Sequence, residues 1–360
     1  MTRAHNTPGS VTRERTVLHL AESFSSGVAS AIEAYLEAQP SEVRAIVSGF
    51  RVPDAQLAPR VQLGVPFFEL PSGKWPQMRA VRAVIAEHRP DIVHLHSSWA
   101  GLFARAMPLP AGTRVVYTPH CYGFERLDTP RALRAGLLAA EMVLGMRTDV
   151  VLACGTHEAD LARTRHLGRT VLLLPQQLPE HLRASLAKLR ATRTAGGDRL
   201  IVGMSGRICA QKGPDFFAAV ARGLRATPEG RDAFVLRWIG GGRAGADAEL
   251  RTAGVEVTGW LTQRESVGEL AACDIYLHSA AWEGAPMTVL EARELGLPVI
   301  ARAIPSLIAD SEGIRLVADP AEAVSTLLKF AVEWPVAVEP PRITSLAERR
   351  AILACAYGLA

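Results

Sequence analysis

Short apolar runs rich in β-branched residues alternate along this chain with Ala/Leu/Arg stretches of helical period. In the first half the runs lie at residues 16–20, 43–48, 91–96, 114–118, 150–153 and 171–174, and each reads as a strand. Segments such as 28–38, 74–88 and 130–144 repeat apolar residues at the spacing of a helix with one buried face. Apolar strands separated by such helices predict a parallel sheet covered on both sides.

The pattern lapses around residues 176–198, where Gln176-Gln177-Leu178-Pro179 and a basic helical piece lead into Thr194-Ala195-Gly196-Gly197-Asp198. It then restarts, with strands expected at 199–204, 234–239, 255–258, 274–278, 298–301 and 313–317. The expected organisation is an α/β protein with a first Rossmann-like domain over 1–180 and a second over 198–338. After Glu339-Pro340-Pro341 a helical piece, 339–360, is free to pack back on the first domain. Open parallel sheets bind ligands beyond the C-terminal ends of their strands, so two facing sheets predict one deep cleft.

Composition narrows the setting. With 48% hydrophobic and 21% charged residues the chain is globular and not disordered. Its net charge is +4, and of 40 basic residues only Lys74, Lys188, Lys212 and Lys329 are lysine. No basic cluster with interleaved aromatics accompanies the arginines, which argues against nucleic acid as a partner. Cys121, Cys154, Cys209, Cys273 and Cys355 are odd in number and lack ligand spacing, so a reducing compartment is expected and a zinc site is not. The first fifteen residues are polar and read as a tail rather than a signal peptide. No apolar run reaches the ~18 residues of a membrane span. The expected location is cytoplasmic, at most peripheral on the inner membrane leaflet.

Two stretches carry chemistry. The strand at 199–204 runs into Ser205-Gly206-Arg207-Ile208-Cys209-Ala210-Gln211-Lys212-Gly213-Pro214-Asp215. Small residues in that turn let backbone amides approach a phosphate, while Arg207 and Lys212 add a planar fork and a point charge suited to a diphosphate. Neither a Walker loop nor a G-x-G-x-x-G fingerprint is present. The strand at 274–278 is followed by Trp282-Glu283-Gly284-Ala285-Pro286-Met287 and then Thr288 to Gly296. Pro286 opens and Gly296 closes a helix over 287–295, whose first amides are free for an anion. Glu283 precedes that helix and Glu291 lies on its second turn. Two carboxylates would repel phosphates, so accepting hydrogen bonds from sugar hydroxyls is their expected work.

Gly206-Arg207 with Lys212-Gly213, then Glu283-Gly284-x-Pro286 and Glu291-Ala292, together resemble the family 4 (group 1) retaining nucleotide-sugar glycosyltransferases. A fainter likeness covers Pro90-Asp91-Ile92-Val93-His94-Leu95-His96 and Thr118-Pro119-His120. The resemblance implies the GT-B fold, a UDP-sugar or GDP-sugar donor, a glycan, lipid-linked or small-molecule acceptor, and no metal or other cofactor. It implies that Arg207 and Lys212 hold the diphosphate, Glu283 the sugar hydroxyls and Glu291 the ribose, with His120 aligning the sugar from the first domain. Gly27, Gly206, Gly284, Ala285, Pro286 and Met287 would line the donor. In that family the acceptor attacks the face the nucleotide leaves, with a donor phosphate oxygen as base. Surface polysaccharide or glycoconjugate assembly is the commonest setting of such enzymes.

There are departures. Phe24-Ser25-Ser26-Gly27-Val28 holds one glycine where relatives often carry more, and 301–305 lacks a glycine often found there. His94 and His96 invite a metal reading, but no carboxylate cluster accompanies them; packing in the core or crevice is expected instead, with contact to the acceptor as the second reading. Glu158 is expected to cap a helix or face solvent, with contact to the acceptor as the other reading. Residues 126–147 combine Arg126, Arg131, Arg134 and Arg147 with Leu133, Leu137, Leu138, Met142 and Leu144, either a sheet-covering helix or a basic amphipathic one resting on a membrane. Two other functions remain on the same fold: a nucleotide-sugar 2-epimerase and a non-catalytic sugar-nucleotide-binding protein.

Overall fold

Seven parallel strands form the first sheet of a computed structural model that describes residues 14–24, 26–50, 64–193, 197–336, 338 and 341–359. They are β1 (Arg15–Ser23), β2 (Val43–Phe50), β3 (Phe67–Glu69), β4 (Ile92–His96), β5 (Arg114–Thr118), β6 (Val150–Ala153) and β7 (Thr170–Leu173), in the order β3-β2-β1-β4-β5-β6-β7. All five residues of β4 and all four of β6 are buried, which is why these strands lack a polar face. β3 has no counterpart among the expected strands. It is three half-exposed or exposed residues at the sheet edge, too short to leave a pattern.

The helices between them are α1 (Ser26–Glu37), α2 (Lys74–His88), α3 (Ser98–Ala106), α4 (Arg131–Gly145) and α5 (Thr156–Thr164), followed by α6 (Glu180–Thr192). α1 begins two residues before the expected start, so Gly27 lies in its first turn rather than in a loop ahead of it. Ser25 lies outside the described residues, as do residues 1–13, 194–196, Glu339 and Pro340. α6, expected in the lapse between domains, buries Leu182 and Leu186 in the second core.

The second sheet holds β8 (Leu200–Ser205), β9 (Phe234–Ile239), β10 (Glu256–Val257), β11 (Ile275–His278), β12 (Val299–Arg302) and β13 (Ile314–Val317), all parallel, in the order β10-β9-β8-β11-β12-β13. Its helices are α7 (Pro214–Arg225), α8 (Pro228–Ala233), α9 (Ala248–Thr252), α10 (Gln263–Ala271), α11 (Met287–Glu294), α12 (Pro305–Ala309) and α13 (Pro320–Glu333). The strand order reverses between β1 and β4 in one sheet and between β8 and β11 in the other, the switch points where such sheets open a ligand crevice.

The last helix, α14 (Leu346–Tyr357), is started by a reciprocal cap in which Ser345 and Glu348 satisfy each other's amides. It returns to the first sheet. Leu353, Ala356 and Tyr357 are buried with Val17, Val116 and Leu152, and Arg349 donates to the Ala34 carbonyl at 2.6 Å.

The two bodies meet at the strand ends. Asp310, just past α12, accepts the Thr156 amide at 2.9 Å and the Thr156 hydroxyl at 2.6 Å, so a second-domain carboxylate caps first-domain helix α5. α4 differs from a simple sheet-covering helix. Glu141 and Leu144 are buried and Arg134 folds inward to the Phe124 carbonyl, but Leu133, Met142, Val143 and Met146 are exposed. Among the described residues no helix is long and apolar enough to cross a membrane.

Candidate active site

The loop after β8 is shaped by glycines where side chains would collide. Gly206 has φ 152°, and a Cβ there would lie 3.1 Å from Lys212 Cε. Gly213 has φ 62°, in the left-handed region, and a Cβ there would run into the Ser279 carbonyl. The loop is thereby pressed against the one after β11, and Ser279 donates its hydroxyl to the Lys212 carbonyl at 2.8 Å. Lys212 is carried toward Glu283, and its ammonium meets that carboxylate at 2.5 Å, with side chains 17% and 10% exposed. Gln211 donates to the other Glu283 oxygen and to the Trp282 carbonyl, both at 3.3 Å. Arg207, in the same loop, is exposed.

Pro286 precedes α11, and the Val289 and Leu290 amides both return to its carbonyl, which leaves the Met287 and Thr288 amides at the helix entrance without an intrahelical acceptor. Val289 and Ala292 face the core while Glu291 is half-buried on the other side. Burial pushes the Glu291 carboxyl up to about 7, against the opposing pull of Lys212. The same ammonium, with burial as the larger cause, holds His278 at the end of β11 well below the usual imidazole range. Lys212 is therefore the electrostatic centre of the second crevice, felt by Glu283, Glu291 and His278.

The first domain reaches this crevice at the turn after β5 and at the start of α1. After β5 the backbone enters the left-handed region at both His120 (φ 53°) and Cys121 (φ 93°), rare for residues with a Cβ. Glu158 holds that turn. Its carboxylate accepts the Cys121 amide at 2.9 Å and the Cys154 amide at 3.0 Å, and its side chain is buried. The expectation of a solvent-facing Glu158 is thus corrected: two amides at neighbouring strand ends need an acceptor, and this residue provides both bonds. Burial raises its carboxyl to about 7 even so. Gly284 lies directly against the turn, for a Cβ there would sit 2.7 Å from the Cys121 nitrogen and 2.8 Å from the His120 carbonyl carbon. Beside it, a Cβ on Gly27 would lie 3.4 Å from Met287 Cγ. Gly27 and His120 from one domain and Gly284 and Met287 from the other are brought together, with Ala285 and Pro286 between the latter two.

His94 and His96 are buried on β4 beside His19 on β1, and among the described residues these three alone bring ligating nitrogens within 4.8 Å of one another. Both nitrogens of His94 and both of His96 are already engaged, as is Nδ1 of His19. His94 bonds Tyr357 and Thr118, and His96 bonds His19 and His120. Packing in the core, with hydrogen bonds, is what the structure gives. His19, Gln211 and His278 had no signal in the sequence, because each becomes notable only through residues more than sixty positions away.

Two family models match the chain. One, described as Glycosyl transferase 4-like domain, covers residues 25–175, and the other, described as Glycosyl transferases group 1, covers 199–331. A curated relative from Klebsiella pneumoniae, named "Uncharacterized 41.2 kDa protein in cps region", is 24% identical over 225 residues, 60% of this chain and 61% of that protein. The chain therefore spans 61% of that relative's length. Among solved structures, sucrose-phosphate synthase from Thermosynechococcus elongatus superposes with a TM-score of 0.68 at 16% identity, over 96% of this chain and 93% of that one. Anabaena HepE in complex with UDP-glucose gives 0.66 at 17% identity, over 96% and 94%. At such identities the likeness establishes the fold, two Rossmann-like domains in the GT-B arrangement.

Proposed function

This chain belongs to the group 1 (family 4) glycosyltransferases, and from that premise we propose that it transfers a sugar, with retention and without a metal, from a UDP- or GDP-sugar to a glycan, lipid-linked or small-molecule acceptor. One observation carries the reading: Lys212, Glu283, Glu291 and the open amides of α11 converge at the switch point of the second sheet, directly opposite the His120 turn.

In this reading the donor diphosphate takes Lys212 from Glu283. The ammonium then neutralises the leaving nucleotide, together with Arg207 and the α11 entrance, as a bound cation does elsewhere. Glu283, released, accepts hydroxyls of the transferred sugar. Glu291 holds the ribose hydroxyls and His120 aligns the sugar across the cleft. HepE's complex with UDP-glucose favours a uridine donor, and the cps-region relative favours surface glycan assembly. The exposed apolar side of α4, with Arg131 and Arg147 at its ends, suits contact with an anionic membrane where a lipid-linked acceptor would reside.

A panel of UDP- and GDP-sugars, read by nucleoside-diphosphate release with and without acceptor in excess chelator, tests the reading. Release that requires added magnesium overturns metal independence. Conversion of donor alone into its 2-epimer identifies an epimerase, and binding without turnover of any donor identifies a non-catalytic protein. Inverted configuration at the product's anomeric carbon rules out retention.

A further inference from the structure

Three imidazoles form a continuous row from the core to the cleft. His19 Nδ1 lies 3.0 Å from His96 Nε2, and His96 Nδ1 lies 3.1 Å from His120 Nε2. The rings sit end to end along the row, their centres 5.3 and 5.4 Å apart and their planes tilted by only 18° between His19 and His96 and 20° between His96 and His120. The neighbouring His94 stands apart. Thr118 donates its hydroxyl to the Leu152 carbonyl at 2.8 Å, so its oxygen must accept from His94 Nε2, 2.9 Å away. That fixes the His94 proton on Nε2 and makes Nδ1 the acceptor for Tyr357, at 3.0 Å.

Burial keeps every ring of the row neutral at pH 7, with His19 lowered to about 3, His120 to about 4 and His96 well below its ordinary value. A neutral imidazole has one N–H and one lone pair. Two arrangements therefore satisfy both contacts: all three protons on Nδ1, pointing toward His120, or all three on Nε2, pointing toward His19. The far end of the row decides between them. His19 Nε2 is buried and has no hydrogen-bond partner among the described residues. Protons on Nε2 would leave a buried N–H there without an acceptor, whereas protons on Nδ1 leave only a lone pair, and orphaned buried donors are the rarer case.

We propose that His96 and His19 are positioning residues that hold His120 in its Nδ1–H tautomer, so that it offers the cleft a hydrogen-bond donor and not a base. The ligand oxygen it would meet rests on the reading above, in which His120 faces the donor sugar; the tautomer does not depend on it. A donor suits a sugar hydroxyl or ring oxygen, and it leaves proton abstraction from the acceptor to another group.

Long-range proton–nitrogen NMR on the full chain with ¹⁵N-histidine tests this, with His120 assigned by loss of its signals in His120→Asn. The expected result is Nδ1–H for His19, His96 and His120 and Nε2–H for His94. In His96→Phe, which keeps a ring and removes both nitrogens, His120 is expected to shift to the Nε2–H form. His96→Gln, whose amide N–H can donate to His120 Nε2, restores Nδ1–H. In turnover, His96→Phe lowers kcat about tenfold with donor KM little changed, and His96→Gln recovers most of it. An Nε2–H His120 in the unsubstituted protein overturns the proposal, and so does a tautomer that ignores His96→Phe. The first measurement decides even if a variant fails to fold. His120 signals that switch with His96 but do not move on adding UDP-glucose support the row while counting against a donor role for His120.

Discussion

Lys212 and Glu283, 71 positions apart in the chain, close on each other at 2.5 Å in the second-domain crevice. The pair joins the two residues assigned opposite tasks, one for phosphate and one for sugar. In the function proposed above, a ligand carrying both groups would exchange one internal ion pair for two external contacts.

Replacing either partner should therefore give opposite results. Lys212→Ala removes a charge-assisted contact and leaves Glu283 facing the phosphates, so affinity for the free nucleoside diphosphate should fall by about 1.5–3 kcal/mol, roughly 10- to 150-fold. Glu283→Gln should keep or strengthen that affinity while lowering kcat by about 100-fold. Calorimetric titration with the diphosphate, beside steady-state rates, checks both. Equal weakening by the two substitutions would sink the exchange.

Glu291 gives a pH dependence. Its carboxyl, raised to about 7 by burial, is a neutral acid below that pH and a carboxylate above it. Ribose hydroxyls are held best by the charged form, so donor KM should fall as pH rises from about 6 to about 8 and then level. Glu291→Gln should flatten that limb. Glu158 titrates in the same range, so this comparison is what assigns the effect. For stability the sign is reversed. A folded pKa above the unfolded 4.5 means the folded chain binds the extra proton between the two values, so this group's contribution is present below about 4.5 and is lost as pH rises through about 7.

Gly284→Ala probes the contact between domains. The new Cβ would fall within 3 Å of backbone at His120 and Cys121, atoms that have no rotamer to yield. The domains must separate locally, at a cost of about 1–3 kcal/mol. We expect kcat/KM at least about tenfold lower with little change in the melting of either domain. Wild-type activity would mean that this contact is absent during turnover.

The first domain contains a buried ion pair unconnected with the ligand. Arg105 is fully buried, pairs with Glu141 at 2.7 Å and lies 3.9 Å from the Tyr117 ring centre, while the Tyr117 hydroxyl donates to the other Glu141 oxygen. Glu141→Ala leaves that guanidinium uncompensated and should cost about 3–5 kcal/mol of first-domain stability. Urea unfolding followed by a first-domain probe measures it, and a loss below about 1 kcal/mol would contradict the coupling.

The exposed side of α4 predicts lipid binding. Vesicles containing anionic lipid should sediment the protein, neutral vesicles much less, and Leu133→Asp with Met146→Asp should weaken the association at least about tenfold. Indifference to both lipid charge and the double substitution would remove the membrane from the proposal.

Sequence alone determined the parallel α/β architecture and all the longer strands, because strands buried on both faces must be apolar throughout and their helices must show one apolar face. It also pointed to the two loops, since glycine, proline and charge beside a strand end have few other uses. It did not disclose β3, whose three residues are too few for a period, or the apolar exposure of α4, because an apolar helix face reads the same whether covered or not. Tertiary structure alone decided that Lys212 closes on Glu283, that Glu158 ties two strand ends, and that His19, His96 and His120 line up ring to ring. Each of these joins residues from separate strand–helix units, and the strand order that makes them neighbours is set by packing of the whole sheet rather than by any local stretch of chain.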